Sequence, residues 1–263
     1  MKQSADIPQG FYNINKPSGW TSFDVVNKIR NLSGEKKVGH AGTLDPLATG
    51  VLVVAVGKPF TKQLTELSGT DKVYNFEITF GVETESHDLE GAVVRKEAPV
   101  GITKEKVESV LTQFTGDIEQ IPPMYSAIKK NGRRLYEYAR KGQTVEMPPR
   151  QVTVYSLELL SFSDPSDFTS SEVTSPIRGG NEKSPLIGEM SAPLTEGSLE
   201  EYPRVTLRAK VSKGTYVRSL SFDIGVALGS FGVCSKLIRE AVSDYKLEDS
   251  RTIESFMENS TDE

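Results

Sequence analysis

The chain is poor in the residues that build metal centres and covalent staples. One cysteine, Cys234, and two histidines, His40 and His87, stand among 263 residues. A lone cysteine excludes an internal disulfide framework and a cysteine-rich zinc site, and two histidines leave a histidine-type metal centre short of ligands. No apolar run of 18 or more residues occurs, so no membrane-spanning helix is expected. The amino-terminal stretch MKQSADIPQG lacks the apolar core and cleavage site of a signal peptide, and none is expected. These absences together imply a reducing, cytoplasmic setting.

The remaining composition is that of a globular protein. Apolar residues make up 37% and charged residues 25%, and the length suits one large domain or one domain with appendages. The net charge of −5 hides an uneven distribution. Residues 163–203 and 240–263 each carry eight acids and two bases, which leaves +7 for the rest. Within that rest, 129–150 holds seven bases against two acids, and 204–239 seven against one. A basic block is usually a solvated face; its other reading is a surface for nucleic acid.

Apolar spacing predicts a short strand in FYNINKP, ended by Pro17, and a helix in TSFDVVNKIRNL capped by Thr21 or Ser22. GVLVVAVG reads as a strand between glycines, KPFTKQLTEL as a helix and KVYNFEITFGV as a strand with two faces. Helices are expected in TKEKVESVLTQFTG, RRLYEYARKG and YVRSLSFDIGVALG, and strands in QVTVYSLELLSF and RVTLRAKVSKG. Strict βαβ alternation is missing, so the expected class is α+β with a mixed, mostly antiparallel central sheet and flanking helices. Residues 163–203, rich in Ser, Pro, Gly, Thr and Glu, read as a disordered insertion between two strands.

One carboxylate stands out. In GHAGTLDPLATGVLVVAVG, residues 39–57, Asp45 is the only acid. A structural reading is available: glycines shape the turn, Asp45 caps it and Pro46 stiffens it. Thr43, Asp45 and Thr49 also place polar groups beside an apolar strand, where a turn alone gains little from them. A carboxylate at a strand end, stiffened by proline, has few conformers, which suits a group that must meet a reacting atom in one geometry.

The motif GHAGTLDPLATGVL resembles the signature loop of the TruB-type tRNA pseudouridine-55 synthases. Four colinear stretches carry the same likeness: NKPSGWTSFDVV, DKVYNFEITFGVETESHDLEG, GDIEQIPPMYSAIKKNGRRLYEYARKG and SKGTYVRSLSFDIG. The resemblance covers about 9–160 and 204–250. It implies an isomerase with the pseudouridine synthase catalytic fold, which everts the T-loop uridine of tRNA, cleaves its glycosidic bond and rejoins the ring through C5. Nothing is oxidised and no group is imported, so no cofactor and no metal are expected. By the resemblance Asp45 is the catalytic carboxylate, Arg218 the cation that keeps it ionised, and Tyr74 the ring that stacks on the displaced base and assists at C5. Tyr216 and Leu237 match the lining of the uracil pocket, and His40 a histidine that engages the target arm. Lys129, Lys130, Arg133, Arg134, Arg140 and Lys141 fall in the family's RNA-gripping thumb, with Met124, Tyr125, Tyr136 and Tyr138 ordering it.

The implied organisation is a catalytic domain over 9–250, with a thumb at about 117–150 and an acidic tail over 251–263. No carboxy-terminal PUA-type domain is expected. The implied partner is the T arm of tRNA, with no membrane, no obligate protein partner and a monomeric state. Glu85 stands where the family usually has aspartate, and Ile238 where it often has arginine, departures that bear on RNA affinity more than on catalysis. A second reading is a T-arm RNA-folding chaperone in which isomerisation is incidental or lost. A guide-RNA-dependent synthase is a third and weaker match, because DPLATG looks like the stand-alone branch.

Overall fold

The structure, a computed structural model, describes residues 7–97, 99, 101–165 and 199–258. Strand β1 (Gly10–Lys16) leads into helix α1 (Ser22–Ser33). Thr21 caps α1 in a reciprocal box: its hydroxyl accepts from the Asp24 amide, and the Asp24 carboxylate accepts from the Thr21 amide. Gly34, at φ 66°, closes the helix in the left-handed region. Strands β2 (Val38–His40) and β3 (Thr49–Val56) follow, then short helices α2 (Lys58–Thr61) and α3 (Leu64–Ser68). Next come β4 (Lys72–Phe80), β5 (Val82–Thr84), β6 (Val93–Lys96), α4 (Lys104–Leu111) and β7 (Gly116–Gln120). The basic segment forms β8 (Lys129–Lys130), β9 (Arg133–Arg134) and α5 (Leu135–Ala139). The chain then builds β10 (Arg150–Ser163), β11 (Arg204–Val211), α6 (Val217–Ala227), β12 (Gly232–Val242), β13 (Tyr245–Lys246) and α7 (Ser255–Glu258).

Nine strands form one sheet, ordered β1-β3-β12-β4-β11-β10-β7, with β2 paired to β3 and β13 to β12. Every pair is antiparallel except β3 with β12, where Thr49 lies opposite Ile238 and Gly50 opposite Arg239. The architecture is α+β around a mixed, mostly antiparallel sheet, as expected. Strand β3 is a continuous apolar run because both its faces are covered. Leu52, Val54 and Val56 join the main core, while Val51 and Val53 pack with Ala41 and Val242 on the other side. Gly50 is required at the parallel junction: at φ 100° a Cβ here would stand 2.3 Å from the Arg239 carbonyl oxygen.

Several local expectations differ from the structure. The single helix expected in KPFTKQLTEL is two short ones, α2 and α3. The helix expected from residue 103 to Gly116 stops at Leu111, a 3₁₀ turn covers Thr112–Phe114, and Gly116 already belongs to β7. In RRLYEYARKG only Leu135–Ala139 is helical. Arg133 and Arg134 instead close a hairpin whose turn residues, Asn131 and Gly132, take φ of 52° and 80°. Of the expected insertion, residues 166–198 lie outside the described residues. Its ends are ordered: Phe162 and Ser163 pair with Val205 and Arg204, and Leu199 is buried beside Val82 and Val233. The stretch expected to be a tail begins inside the core. Ile253 and Phe256 are buried, and Arg251 exchanges backbone hydrogen bonds with Asn13 and Asn15. No helix among the described residues is long and apolar enough to cross a membrane.

Candidate active site

The loop between β2 and β3 carries Asp45 and is held from three sides. Ser22 of α1 donates to the Leu44 carbonyl at 3.0 Å and accepts from the Leu44 amide at 2.8 Å. The buried ammonium of Lys16 donates to the carbonyls of Pro17, Trp20 and Pro46, and the Gly19 amide also reaches Pro46. Arg239 of β12, 1% exposed, donates from Nε to Val51, from Nη1 to Thr43 and from Nη2 to Gly42, all backbone carbonyls. With the carbonyls committed to the scaffold, the Asp45 side chain is left pointing at Arg218.

Arg218, near the start of α6 and 2% exposed, is the centre of the site. Its Nη2 donates to Asp45 Oδ1 at 3.1 Å, and Nε lies 2.9 Å from Oδ2 as an ion pair without hydrogen-bond alignment. Nη1 sits 3.3 Å from Asp88 Oδ2 and donates to the Ser86 carbonyl, while Nη2 also donates to the Tyr125 carbonyl. One guanidinium thus joins the Asp45 loop, the acidic turn at 84–91 and the root of the thumb. Burial works against its charge, and the Asp45 and Asp88 carboxylates overcome that and hold its pKa above the ordinary value. The start of α6 is fixed by Gln120, which accepts from the Tyr216 amide at 2.7 Å and donates to the Tyr216 carbonyl at 3.0 Å.

The acidic turn is equally constrained. His87 takes φ 59°, accepts at its carbonyl from the Cys234 amide, and stacks its ring on Phe222 at 4.2 Å and 3°. Burial, and then the neighbouring Arg218 charge, push its pKa down to about 4, so the ring is neutral beside the guanidinium. Asp88 accepts from the Ser86 hydroxyl and from the Glu90 amide. Burial pushes its pKa up, against the pull of Arg218.

Two depressions share Asp45 as a wall. The smaller, about 260 Å³, is lined by Tyr74 of β4, Leu237 and Arg239 of β12, Tyr216, Arg218 and Lys72. The larger, about 790 Å³, includes His40, Phe23, Tyr125, Arg134, Tyr136 and Arg140. The structure therefore gathers Asp45, Tyr74, Arg218, Tyr216 and Leu237 at one pocket and places His40 at the adjoining cleft. Of the basic thumb residues, Arg134 and Arg140 line that cleft, with their guanidinium carbons 5.9 and 5.4 Å from the Tyr136 ring centre. Lys129, Lys130, Arg133 and Lys141 are not among its lining, and Lys130 folds back onto the Glu146 carbonyl. Glu85 accepts from the Tyr125 hydroxyl at 2.9 Å, tying the acidic turn to the thumb. Among the described residues no group of three or more His, Cys, Asp or Glu side chains could hold a metal ion.

Sequence reasoning missed Arg239, Lys16 and Asp88 as parts of this site. Arg239 lies in a stretch with no clean alternation, because bulges interrupt the pairing of β12 with β4 between Cys234 and Lys236 and between Arg239 and Ala241. The signal for the hairpin was present: Asn-Gly between KK and RR is a strong turn dipeptide.

Residues 30–176 match the family described as TruB family pseudouridylate synthase (N terminal domain). A protein named tRNA pseudouridine synthase B from Caldanaerobacter subterraneus is 43% identical over 249 residues, covering 95% of this chain and 74% of that one. One of the same name from Streptococcus gordonii is 42% identical over 255 residues, covering 97% and 76%. Among solved structures, a chain in a crystal structure of a Cbf5-Nop10-Gar1 complex superposes with a TM-score of 0.60 at 26% identity. That alignment covers 93% of this chain and 52% of the other, so this chain spans about half its length. With a family match over more than half its residues and relatives above 40% identity along nearly all of it, the chain belongs to the TruB family of pseudouridylate synthases.

Proposed function

We propose that this protein isomerises the T-loop uridine at position 55 of tRNA to pseudouridine, with Asp45 as the catalytic carboxylate. One observation carries the reading. A carboxylate held by a buried guanidinium forms the wall between a pocket close in size to the smallest ligand sites, about 300 Å³, and a wider cleft with aromatic and basic lining. The target nucleotide leaves its stack, at a cost of about a few kcal/mol, and enters the smaller pocket. Tyr74 stacks on its ring, and Leu237 and Tyr216 line the pocket beside it. The pair with Arg218 holds Asp45 aimed at the sugar.

The C1′–N1 bond breaks with its electron pair leaving on the base. Asp45 meets the sugar either by forming a bond to C1′ or by taking a proton from C2′. After the base turns, C5 bonds to C1′ as the Asp45–C1′ bond breaks, or as Asp45 returns the proton to C2′. The C5 proton then departs and N1 takes one up, with Tyr74 placed to assist. His40 and the thumb residues Arg134 and Arg140 face the rest of the T arm across the wider cleft, and RNA shape is read more than sequence. The catalytic unit runs from about residue 9 through Phe256, which packs in its core, with the thumb at about 117–150. The experiment is to incubate the purified chain with unmodified tRNA and map pseudouridine. The wild type converts position 55, while Asp45→Asn makes no product and still binds tRNA. Product from the Asn variant would remove Asp45 from the chemistry, and tRNA binding by a wild type that makes none would favour the RNA-folding reading.

A further inference from the structure

The pocket beside Asp45 carries more positive charge than its carboxylates balance. Its lining includes three cations, Lys72, Arg218 and Arg239, and one acid, Asp45. Arg218 is matched by Asp45 and Asp88. Lys72 and Arg239 have backbone oxygens instead. Lys72 donates to the carbonyls of Ser68 and Thr70 at 2.7 and 2.5 Å, and Arg239 to those of Val51, Thr43 and Gly42. Among the described residues neither lies in an ion pair with a carboxylate. Both are buried, at 7% and 1% exposure.

Strand geometry sets both cations around the same ring. Lys72 and Tyr74 are two residues apart on β4, both buried, and therefore on one face. Arg239 lies directly opposite Tyr74 on β12. Burial lowers the Lys72 pKa to about 8, and repulsion from Arg239 adds to this more than attraction to Asp71 offsets it. A buried cation without a counter-charge is costly to desolvate, and two side by side cost more. Such a pocket is complementary to an anion.

The reaction read above generates one. When C1′–N1 breaks, the electron pair goes to N1 and spreads over O2 and O4, so the detached uracil is an anion until C5 attacks C1′. Two of the three Lys72 N–H groups are taken by carbonyls, which leaves one for the ring. We propose that Lys72 and Arg239 are the electrostatic floor that stabilises the detached uracil anion, with Lys72 giving its third N–H to that ring. This rests on the isomerase reading. It adds two charges that act on the base, where Asp45 acts on the sugar.

The test compares tRNA transcripts carrying uridine or 5-fluorouridine at the target, in single-turnover reactions with wild type, Lys72→Met, Lys72→Gln and Lys72→Arg. Fluorine withdraws electrons and stabilises the departing ring by itself. On uridine, Lys72→Met slows bond cleavage about a hundredfold, as loss of one preorganised donor does, while the tRNA Kd stays within about threefold, the mark of an interaction made mainly beyond the ground state. Lys72→Gln, which can still reach the Ser68 and Thr70 carbonyls, shows the same loss without the charge. Lys72→Arg recovers most of the rate. On 5-fluorouridine the loss shrinks several-fold. Equal defects in Lys72→Met and Lys72→Arg, or one defect of the same size on both bases, overturn the proposal and leave Lys72 a shape-keeping residue. A wild type that cleaves neither base removes the isomerase reading itself, which is a different result.

Discussion

The Asp45 loop and the thumb face each other across one cleft and are built on opposite terms. Residues 41–48 are pinned by Lys16, Ser22, Arg239 and Arg218, each a buried or largely buried side chain reaching from a separate element. Residues 129–141 form two-residue strands and a five-residue helix, with one buried apolar anchor, Leu135. The contrast teaches a division of labour. On the proposed reading, chemistry sits where the scaffold over-determines geometry, and RNA contact where exposed cations can adjust to a large ligand.

The largest expected effect is on the loop side. Arg218→Met leaves Asp45 and Asp88 without their cation, so pseudouridine formation is lost, and denaturant unfolding shows a stability loss of about 3–5 kcal/mol. Gly50→Ala forces a Cβ against the Arg239 carbonyl at a positive φ. It destabilises by more than about 1 kcal/mol, with a parallel fall in turnover as the Asp45 loop shifts. On the thumb side, Arg140→Ala leaves unfolding within about 0.5 kcal/mol of wild type, but weakens tRNA binding several-fold and lowers the slope of log affinity against log salt by about 1. A thumb variant that unfolds the protein, or a loop variant that costs only RNA affinity, would break the comparison.

A finer prediction concerns acid. His87 has its pKa pushed down to about 4 from an ordinary 6.5. The unfolded chain therefore takes up this proton at a higher pH than the folded one. Its contribution to stability is whole above about 6.5 and is lost as pH falls toward 4. Asp223 and Glu90, whose carboxyls desolvation raises to about 6 and about 7, push the other way in overlapping ranges. The difference between wild type and His87→Asn isolates the histidine: the two stability curves converge on acidification, and parallel curves would exclude it. Asparagine tolerates the positive φ at this position.

Much of the site was legible in the sequence, for a physical reason. Asp45, Tyr74, Arg218 and Tyr216 sit in short motifs whose local order also sets their geometry. The apolar alternation of β4 and the continuous run of β3 announced their strands. What escaped depended on distant partners. Nothing local to KLIREAV says that Arg239 will turn inward, because its acceptors are contributed by residues 42, 43 and 51. The basic block likewise read as a single grip. Only tertiary packing separates Arg134 and Arg140, which line the cleft, from Lys130, which is spent on a backbone carbonyl.

Strand β12 lies between β3 and β4, although about 150 residues of chain separate it from β4. Two neighbours that are close in sequence must wait for a distant insert before either has its full set of partners. During synthesis on the ribosome, a growing polypeptide that has not yet released residue 242 holds Asp45 on an unclosed scaffold. On the proposed reading, competence toward RNA is thereby tied to release of residue 242, and shorter chains have no assembled centre with which to act.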